Sequence, residues 1–327
     1  MRRLALILIA LVAVLFVAAL LLGPADTDPS DSLVALITRE ESLLGLVMYE
    51  IRLPRALLAV MIGASLGLSG AAMQGYLRNP LADPGLIGVS ASAALGAVLA
   101  IQTGAAAAFA LGLPLSALAG ALVGVLLVLA LAGPRGSSLT LILAGIVVSS
   151  LAAALTSLVL NLSPNPFAAN EIVFWMMGSL ADRSMVHVGL ALPFMVVGWV
   201  LLAGLGRGLD ALTLGEDAAE AMGINLMALR LMLVIGTASV VGASTAVAGA
   251  IGFVGLVVPH ILRPFVGARP SALLWSSALG GAAMLLAADI TVRLVLPSKD
   301  LKLGVLTAII GAPLFLHLIH KVRKMSV

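Results

Sequence analysis

The chain has 327 residues, of which 61% are hydrophobic and 10% are charged, and its formal net charge is +3. With a mean hydropathy of +1.19, a chain of this length cannot bury its apolar residues in one core, which excludes a soluble domain and predicts a polytopic membrane protein. The small positive charge is typical of the loops of such a protein and does not indicate a nucleic-acid partner.

Two further features of the composition narrow the fold class. Aromatic residues make up 4% of the chain and there are 34 glycines, which favours closely packed helices whose small residues let the backbones approach. The sequence does not show the alternation of apolar and polar residues that indicates a β-barrel, so the predicted fold is all-α. The chain has no cysteine, which excludes disulfides and thiolate metal sites.

The amino-terminal segment begins with Arg2 and Arg3 and continues as an apolar run from Leu4 to Leu22. A cleaved signal peptide is the alternative, but the run is long for that role and Gly23-Pro24-Ala25 is a poor cleavage site. We therefore predict a first span with its amino terminus inside. The acidic residues 24–50 are predicted to form the first external segment.

Hydropathy predicts about nine further spans, the first of which begins near Pro54, a residue tolerated in the first turn of a helix, and ends at Tyr76. The others cover about residues 86–101, 113–132, 138–160, 187–206, 231–249, a short one near 254–266, 271–292 and 304–320. This arrangement places eleven Lys and Arg residues inside and seven outside. The positive-inside rule therefore predicts that both termini are cytoplasmic.

The stretch from Leu212 to Arg230 is a polar, amphipathic run well away from both ends of the chain. Thr213 and Glu216 have the spacing of a capping box, which predicts a helix that begins near Leu214. Acidic residues in its first turns suit the positive end of the helix dipole. Because the flanking spans are apolar, this segment is predicted to be what the membrane body presents to the cytoplasm.

The same stretch contains a predicted break. Gly223 is placed to end the first helix in a left-handed cap, and a second short helix would begin at Ile224-Asn225-Leu226 and run towards Arg230. Two short helices joined at a glycine form a compact surface knob that another protein can approach closely. An ordinary solvated loop is the alternative. We call residues 212–230 the knob.

The chain carries little chemistry of its own. It has no G-x-x-x-x-G-K-[ST] loop, so we expect it not to cradle nucleotide phosphates. Asp289 lies near the outer end of its span with Arg293 four residues later, a pair that is expected to satisfy itself rather than relay protons. This disfavours an ion-coupled secondary transporter, the alternative function, and the knob disfavours a structural or channel protein.

The histidines and the tryptophan segment after the fifth span are further candidates for a site. His187, His260, His317 and His320 are scattered and lack carboxylate or thiolate company, so no metal site is expected. Trp175-Met-Met-Gly178 is predicted to be a short surface or re-entrant helix whose methionines serve as adaptable packing. Contact with a passing substrate is the alternative role for this segment.

Seven separated motifs resemble, in order, the permease subunits of the ABC importers that take up iron-siderophore complexes, haem and cobalamin. They are RLPRALLAVMIGASLGLSGAAMQ (52–74), RNPLADPGLIGVS (78–90), WMMGSL (175–180), LGEDAAEAMGI (214–224), AGAIGFVGLVVPHILR (248–263), ADITVRL (288–294) and GAPLF (311–315). The resemblance implies a type II importer permease in which residues 1–327 form a single transmembrane domain of about ten helices.

The resemblance also implies partners. The permease would lie in the bacterial inner membrane and pair with a second copy around a central pathway. It would bind two cytoplasmic ATPase subunits that hold ATP and Mg, and it would receive cargo from a periplasmic binding protein. The chain would itself hold no cofactor or metal and would not be an enzyme. The cargo, whether an iron chelate, haem or cobalamin, is left open.

Site residues follow from the same resemblance. The ATPase-coupling segment covers about residues 207–230, and its implied contact residues are Leu214, Gly215, Glu216, Ala219 and Gly223. Docking of the binding protein is implied for Arg52, Arg55 and Arg293, whereas the local alternative pairs Arg293 with Asp289 and Arg52 with Glu50 or another acid. Ser137 and Ser138 are implied to lie at the cytoplasmic gate, although on chemistry alone two serines after a glycine are a helix start.

The chain departs from the family pattern before its last span. Where the family usually has Glu-Leu-Pro-Val/Ile-Gly, this chain has Asp300-Leu-Lys-Leu-Gly304. Lys302 in place of proline removes a rigid turn and adds an external charge, so the cargo of close relatives cannot simply be transferred.

Overall fold

A computed structural model describes residues 2–23, 27–39, 41–109, 111–133, 137–295 and 301–325, excluding the side chains of residues 166 and 317–325. Within these ranges the chain is helical and has no β-strand, which confirms the all-α prediction. The main helices are α1 (Arg2–Leu21), α2 (Pro29–Thr38), α3 (Leu43–Tyr76), α4 (Val89–Gln102), α5 (Gly112–Ala132), α6 (Ser138–Asn161), α7 (Pro166–Met176), α8 (Met185–Gly204), α9 (Gly206–Leu212), α10 (Glu216–Ala221), α11 (Leu226–Ala248), α12 (Val254–Leu262), α13 (Pro270–Val295) and α14 (Leu303–Met325).

Seven helices of the described chain are long and apolar enough to cross a membrane. Three shorter apolar helices, Val89–Gln102, Val254–Val266 and Leu303–Leu316, occupy the remaining predicted spans. The polytopic architecture is therefore confirmed, and the predicted number of ten is reached when the shorter helices are included.

The second span differs from its prediction because α3 begins at Leu43, inside the predicted external segment. Its first part contains a π-helical turn, Val47–Arg52, that continues directly into the regular helix. The same segment also contains α2, where the Asp28 carboxylate accepts a hydrogen bond from the Ser30 amide. Proline in the first turn and an acidic N-cap start a helix locally even in a polar stretch.

The centre of the molecule is the contact between α3 and α13. Gly63 and Gly67 on α3 lie against the backbone of Ser277 and Gly281 on α13, so closely that a Cβ atom at either α3 glycine would overlap a main-chain carbonyl. Each pair has small-x-x-x-small spacing, which places both residues on one helix face and lets two helices approach at backbone distance. The helices α1, α8 and α12 pack against both members of this pair.

A break at Gly249–Phe253 separates α11 from α12, and Phe253 has a positive φ of 67°. Within α12, Pro259 has no N–H with which to bond the Gly255 carbonyl four residues earlier. The side-chain amide of Gln74 lies 3.5 Å from that oxygen and donates to the Leu256 carbonyl at 3.2 Å. A polar side chain of α3 therefore satisfies backbone groups that cannot reach water inside a membrane.

The close α3 and α13 contact generates a stability prediction. Gly67→Ala should lower the unfolding free energy by about 1–3 kcal/mol, because the added methyl group forces two backbones apart. Gly189→Ala on α8 is the matched control, since nothing lies within 4 Å of its added Cβ. Thermal unfolding of the two purified variants measures the difference, and equal midpoints would contradict the packing described here.

Candidate functional site

The N-cap of the helix in the knob is not the residue that the sequence predicts. The hydroxyl of Thr213 donates to the Asp210 carbonyl at 2.7 Å, at the end of α9, so it does not cap the following helix. Gly215 takes the N-cap position instead, with φ 108° and ψ 161°. The predicted capping box with Glu216 and the start near Leu214 are therefore wrong, because the hydroxyl is used by the preceding helix.

The end of α10 agrees with its prediction. Gly223 has a φ of 83°, its amide donates to the Glu220 carbonyl at 2.8 Å, and the next amide, of Ile224, donates to the Ala219 carbonyl at 3.0 Å. These two bonds form a Schellman motif, which satisfies carbonyls that the helix end leaves free. Nothing lies near an added Cβ at Gly223, so its backbone conformation is what favours glycine here.

The second part of the knob is not a short helix. Asn225 caps α11, accepting a hydrogen bond from the Ala228 amide at 3.0 Å, and α11 continues without interruption to Ala248. The predicted short helix and the predicted span at 231–249 are thus one helix. The knob is therefore attached directly to a membrane helix, and Arg230 fixes the start of α11 by donating to the Tyr76 hydroxyl at 3.1 Å.

The predicted coupling residues are not equally accessible. Leu214 is 69% exposed, and Met222, at the other end of α10, is 62% exposed, while Ala219 between them is fully buried. Glu216 and Gly223 are exposed and Gly215 is half-buried. The knob thus presents large apolar side chains, Leu214 and Met222 the most exposed among them, beside acidic ones, and Ala219 anchors the helix from beneath. The coupling role itself stays a prediction.

Asp210 is an anchor that sequence reasoning missed. Its carboxylate forms an ion pair with Arg269 at 2.8 Å and accepts hydrogen bonds from the amide and hydroxyl of Ser271, at 2.9 and 2.7 Å, in the first turn of α13. A carboxylate at a helix N-terminus satisfies a free amide and interacts favourably with the dipole. Burial raises the pKa of Asp210, but these bonds outweigh it and hold the pKa below its ordinary value.

The turn that contains the predicted gate residues lies near the knob. Ser137 caps α6 by accepting a hydrogen bond from the Thr140 amide at 3.2 Å, which agrees with the helix start expected from chemistry. Gly133, at the end of α5, shares a cavity of about 220 Å³ with Met227 and Arg230 at the start of α11. Residues 134–136 lie outside the described residues, and the gate role of Ser137 and Ser138 stays a prediction.

A second polar cluster lies at the opposite end of the helix bundle. Asp289 is fully buried and forms ion pairs with Arg55 and Arg293, each at 2.8 Å. The predicted i,i+4 pair of Asp289 and Arg293 is therefore confirmed. The pair with Arg55 joins α3 to α13 at this end, as the glycine contact does in the middle.

Two arginines of this cluster bind the end of α1. Arg293 donates to the carbonyls of Ala19 and Leu22 at 2.8 and 3.0 Å, and Arg52 donates to those of Leu20 and Leu21 at 3.0 Å. Cationic side chains satisfy the free carbonyls of a helix C-terminus and complement its dipole. This contact explains why both guanidinium groups are buried.

The predicted docking residues thus differ in accessibility. Arg52 is 4% and Arg293 7% exposed, whereas the side chain of Arg55 is 16% exposed. Docking stays a prediction for all three, and Arg55 is the one whose side chain reaches the surface most.

Several predicted features fall on residues that are not described. They include the histidine side chains at 317 and 320 and the cations Arg135, Lys299, Lys321, Arg323 and Lys324. Among the described residues, no group of three His, Cys, Asp or Glu side chains could hold a metal ion.

The sequence and the fold of this chain are similar to those of known proteins. The sequence profile of the FecCD transport family matches residues 11–321. The uncharacterized ABC transporter permease protein YvrB of Bacillus subtilis is 40% identical over 274 residues, or 82% of this chain and 77% of that protein. The vitamin B12 import system permease protein BtuC of Citrobacter koseri is 39% identical over 280 residues, or 85% of this chain and 84% of that protein.

Among solved structures, an inward-facing conformation of a metal-chelate type ABC transporter is similar to this one with a TM-score of 0.86 and 34% identity. The match covers 98% of this chain and 100% of that chain.

The Asp210 anchor generates a prediction about the knob. Asp210→Ala should loosen α9 and the first turn of α13 by about 1–2 kcal/mol, the usual loss for a helix cap. Hydrogen exchange of the amides in residues 206–221 and of Ser271 should then become faster. Asp217→Ala is the matched control, because Asp217 is exposed on the same knob.

The sign of the pH dependence follows from the direction of the pKa shift. Because the folded pKa of Asp210 lies below its ordinary value of 3.8, its stabilisation is complete above that value and is lost as the pH falls through the folded pKa. Exchange rates that are the same in Asp210→Ala and Asp217→Ala at neutral pH would show that Asp210 does not anchor the knob.

Proposed function

The chain belongs to the FecCD transport family, and we propose that it imports its cargo together with ATPase subunits. The proposed cargo is an iron chelate, haem or cobalamin, which moves from the periplasm to the cytoplasm. It is an ABC importer permease of this family and a multi-pass protein of the bacterial inner membrane. Vitamin B12 and metal chelates are the cargo classes that the names of similar proteins refer to, and haem is added from the resemblance of the motifs.

The observation that carries the proposal is the construction of the knob. Leu214 and Met222 are exposed apolar side chains that flank α10, a helix with a fixed start at Gly215 and a Schellman motif at its end. Exposed apolar residues on a rigid support are suited to bind a partner, since little conformational entropy is lost on association. We propose that each cytoplasmic ATPase subunit binds this surface.

The route from the knob into the membrane follows from its attachments. Asp210 joins α9 to the first turn of α13, and Asn225 joins the knob to α11. When the ATPase subunits close on ATP and Mg, a push on the knob would tilt α11 and α13 as rigid bodies. Gly133, at the end of α5, lies beside the start of α11, and Ser137 and Ser138 follow at the start of α6, which supports their proposed place at the gate.

The complete importer would contain two copies of the chain, two ATPase subunits and a periplasmic binding protein. The binding protein would dock at Arg52, Arg55 and Arg293, with Arg55 making the most direct contact because its side chain is the most exposed of the three. Both termini would then be cytoplasmic. An ion-coupled secondary transporter is not favoured, because the buried carboxylate of Asp289 is engaged by two guanidinium groups.

Reconstitution with the ATPase subunits tests the proposed function. The purified chain alone should hydrolyse no ATP, whereas the reconstituted complex should show ATP-dependent uptake of cobalamin, haem or a ferric siderophore. Leu214→Ala and Met222→Ala should each weaken ATPase binding about tenfold, as expected when an apolar anchor is truncated. Leu162→Ala is the matched control, because Leu162 is equally exposed, at 69%, at the end of α6 remote from the knob.

Unchanged ATPase affinity in both knob variants would show that the partner binds elsewhere. Uptake that continues without ATPase subunits would contradict the proposed function as a whole.

Docking of the binding protein generates a prediction about salt. Arg55→Glu should slow association most at low ionic strength, because charge contacts at a rim govern the association rate and are screened by salt. Arg39→Glu is the control, since Arg39 is an exposed arginine that precedes α3. Stopped-flow measurement of binding-protein association with both variants over a range of salt concentrations is decisive, and equal rates would remove Arg55 from the docking surface.

A further inference from the structure

A small cavity lies where α7, the turn before α8 and the start of α14 meet, at the end of the bundle opposite the knob. Its volume is about 170 Å³, and its lining includes Glu171, Trp175, Asp182, Arg183 and Lys302. A second cavity of about 240 Å³ is also lined by Glu171 and Arg183. Arg183 therefore lines both cavities, neither of which belongs to the knob or to the cluster around Asp289.

Two nitrogen atoms of this lining lack an acceptor. Nε1 of Trp175 and Nε of Arg183 are buried and have no hydrogen-bond partner in the part of the chain that the structure describes. A buried N–H without an acceptor destabilises the folded protein, so a bound group that supplies acceptor atoms here would remove that cost.

The charges of the lining favour an anionic acceptor. Arg183 and Lys302 are half-buried, whereas Glu171 and Asp182 are exposed, so water screens the carboxylates more than the cations. Burial lowers the pKa of Arg183, and the nearby charge of Asp182 opposes this shift. A protonated arginine that is partly removed from water forms a stronger hydrogen bond to an oxyanion than a fully hydrated arginine does.

Lys302 has a defined position in this arrangement. Its ammonium nitrogen lies 5.6 Å from the centroid of the Phe174 ring, within the range of a cation–π contact. This contact holds the charge above α7, at the edge of the cavity. The lysine that replaces the family proline therefore adds a cation to a place where two unsatisfied donors already lie.

We propose that Trp175, Arg183 and Lys302 form a binding site for an oxyanion, a carboxylate or phosphate group, carried by the cargo. The cavity has room for roughly five water molecules at about 30 Å³ each, so it takes one functional group and not a whole chelate or cobalamin. The site rests on the proposed function, since it narrows the cargo to molecules that carry such a group. It lies on the periplasmic side, where cargo arrives.

Titration with inorganic phosphate tests the site directly. Full-length permease in detergent micelles, carrying Trp275→Phe to remove an exposed indole, is titrated at constant ionic strength with chloride as the balancing anion. We expect a saturable change in tryptophan fluorescence that disappears when Trp175→Phe is added. Arg183→Gln and Lys302→Gln should each lower the affinity about tenfold, the loss of one charge-assisted hydrogen bond. Arg39→Gln, a loss of the same charge at an exposed arginine outside this lining, should change nothing.

A linear response, a response that chloride reproduces, or equal affinities in Arg183→Gln and Arg39→Gln would overturn the site. A second arm compares nanodiscs of phosphatidylcholine with nanodiscs that contain phosphatidylglycerol. If the anionic lipid alone produces the fluorescence change and abolishes the phosphate response, the oxyanion comes from a headgroup and the assignment to cargo is overturned. Equal phosphate titrations in both lipids support a soluble source.

The outcome is separable from that of the proposed function. A reconstituted importer that takes up cargo with ATP but shows no phosphate response refutes this site and leaves the function standing. A permease that responds to phosphate but supports no ATP-dependent uptake of any tested cargo refutes the function instead. Cargo uptake by the Arg183→Gln importer, compared with uptake by Arg39→Gln, then shows whether the site contributes to transport.

Discussion

The backbone contact between α3 and α13 is the constraint on which the rest of the structure depends. In a membrane, helices do not associate to escape water, so their association rests on packing and on polar contacts. Gly63 and Gly67 meet Ser277 and Gly281 without intervening side chains, which removes the gap that lipid would otherwise fill. The helix α3 is largely buried within the bundle, and α1, α8 and α12 pack against both helices of the pair.

The helix α13 also links the two polar sites of the molecule. Its first turn is capped by Asp210, and its last turns hold the ion pairs of Asp289. With 26 residues and a rise of about 1.5 Å per residue, it spans about 39 Å, enough to cross a membrane. A helix held at both ends is a direct physical connection between the segment that leads into the knob and the arginine cluster.

Polar side chains inside the bundle act mainly on backbone groups. The Gln74 side-chain amide donates to the Gly255 and Leu256 carbonyls in the turn before Pro259. Arg263 in turn donates to the Gln74 side-chain oxygen at 2.6 Å. At the other end, Arg52 and Arg293 satisfy the carbonyls that end α1. An ionisable residue in a span is usually functional. The contacts of these three arginines and of Gln74 show that they also allow helix breaks and helix ends to lie away from water.

The sequence by itself determined what depends on composition and on neighbours within one turn of helix. Apolar runs located the spans, Gly223 marked a helix end, and Asp289 with Arg293 formed the expected pair. The ordered motifs identified the family over most of the chain. Tertiary structure decided what depends on distant partners. Arg293 binds a carbonyl 274 residues away, and Asp210 caps a helix that begins 60 residues later. The Thr213 hydroxyl could bond either the preceding helix or the first turn of the following one, and in the structure it donates to the Asp210 carbonyl of α9. A hydrogen-bonding group accepts whichever partner the packing brings within about 3 Å, and a linear sequence does not contain that distance.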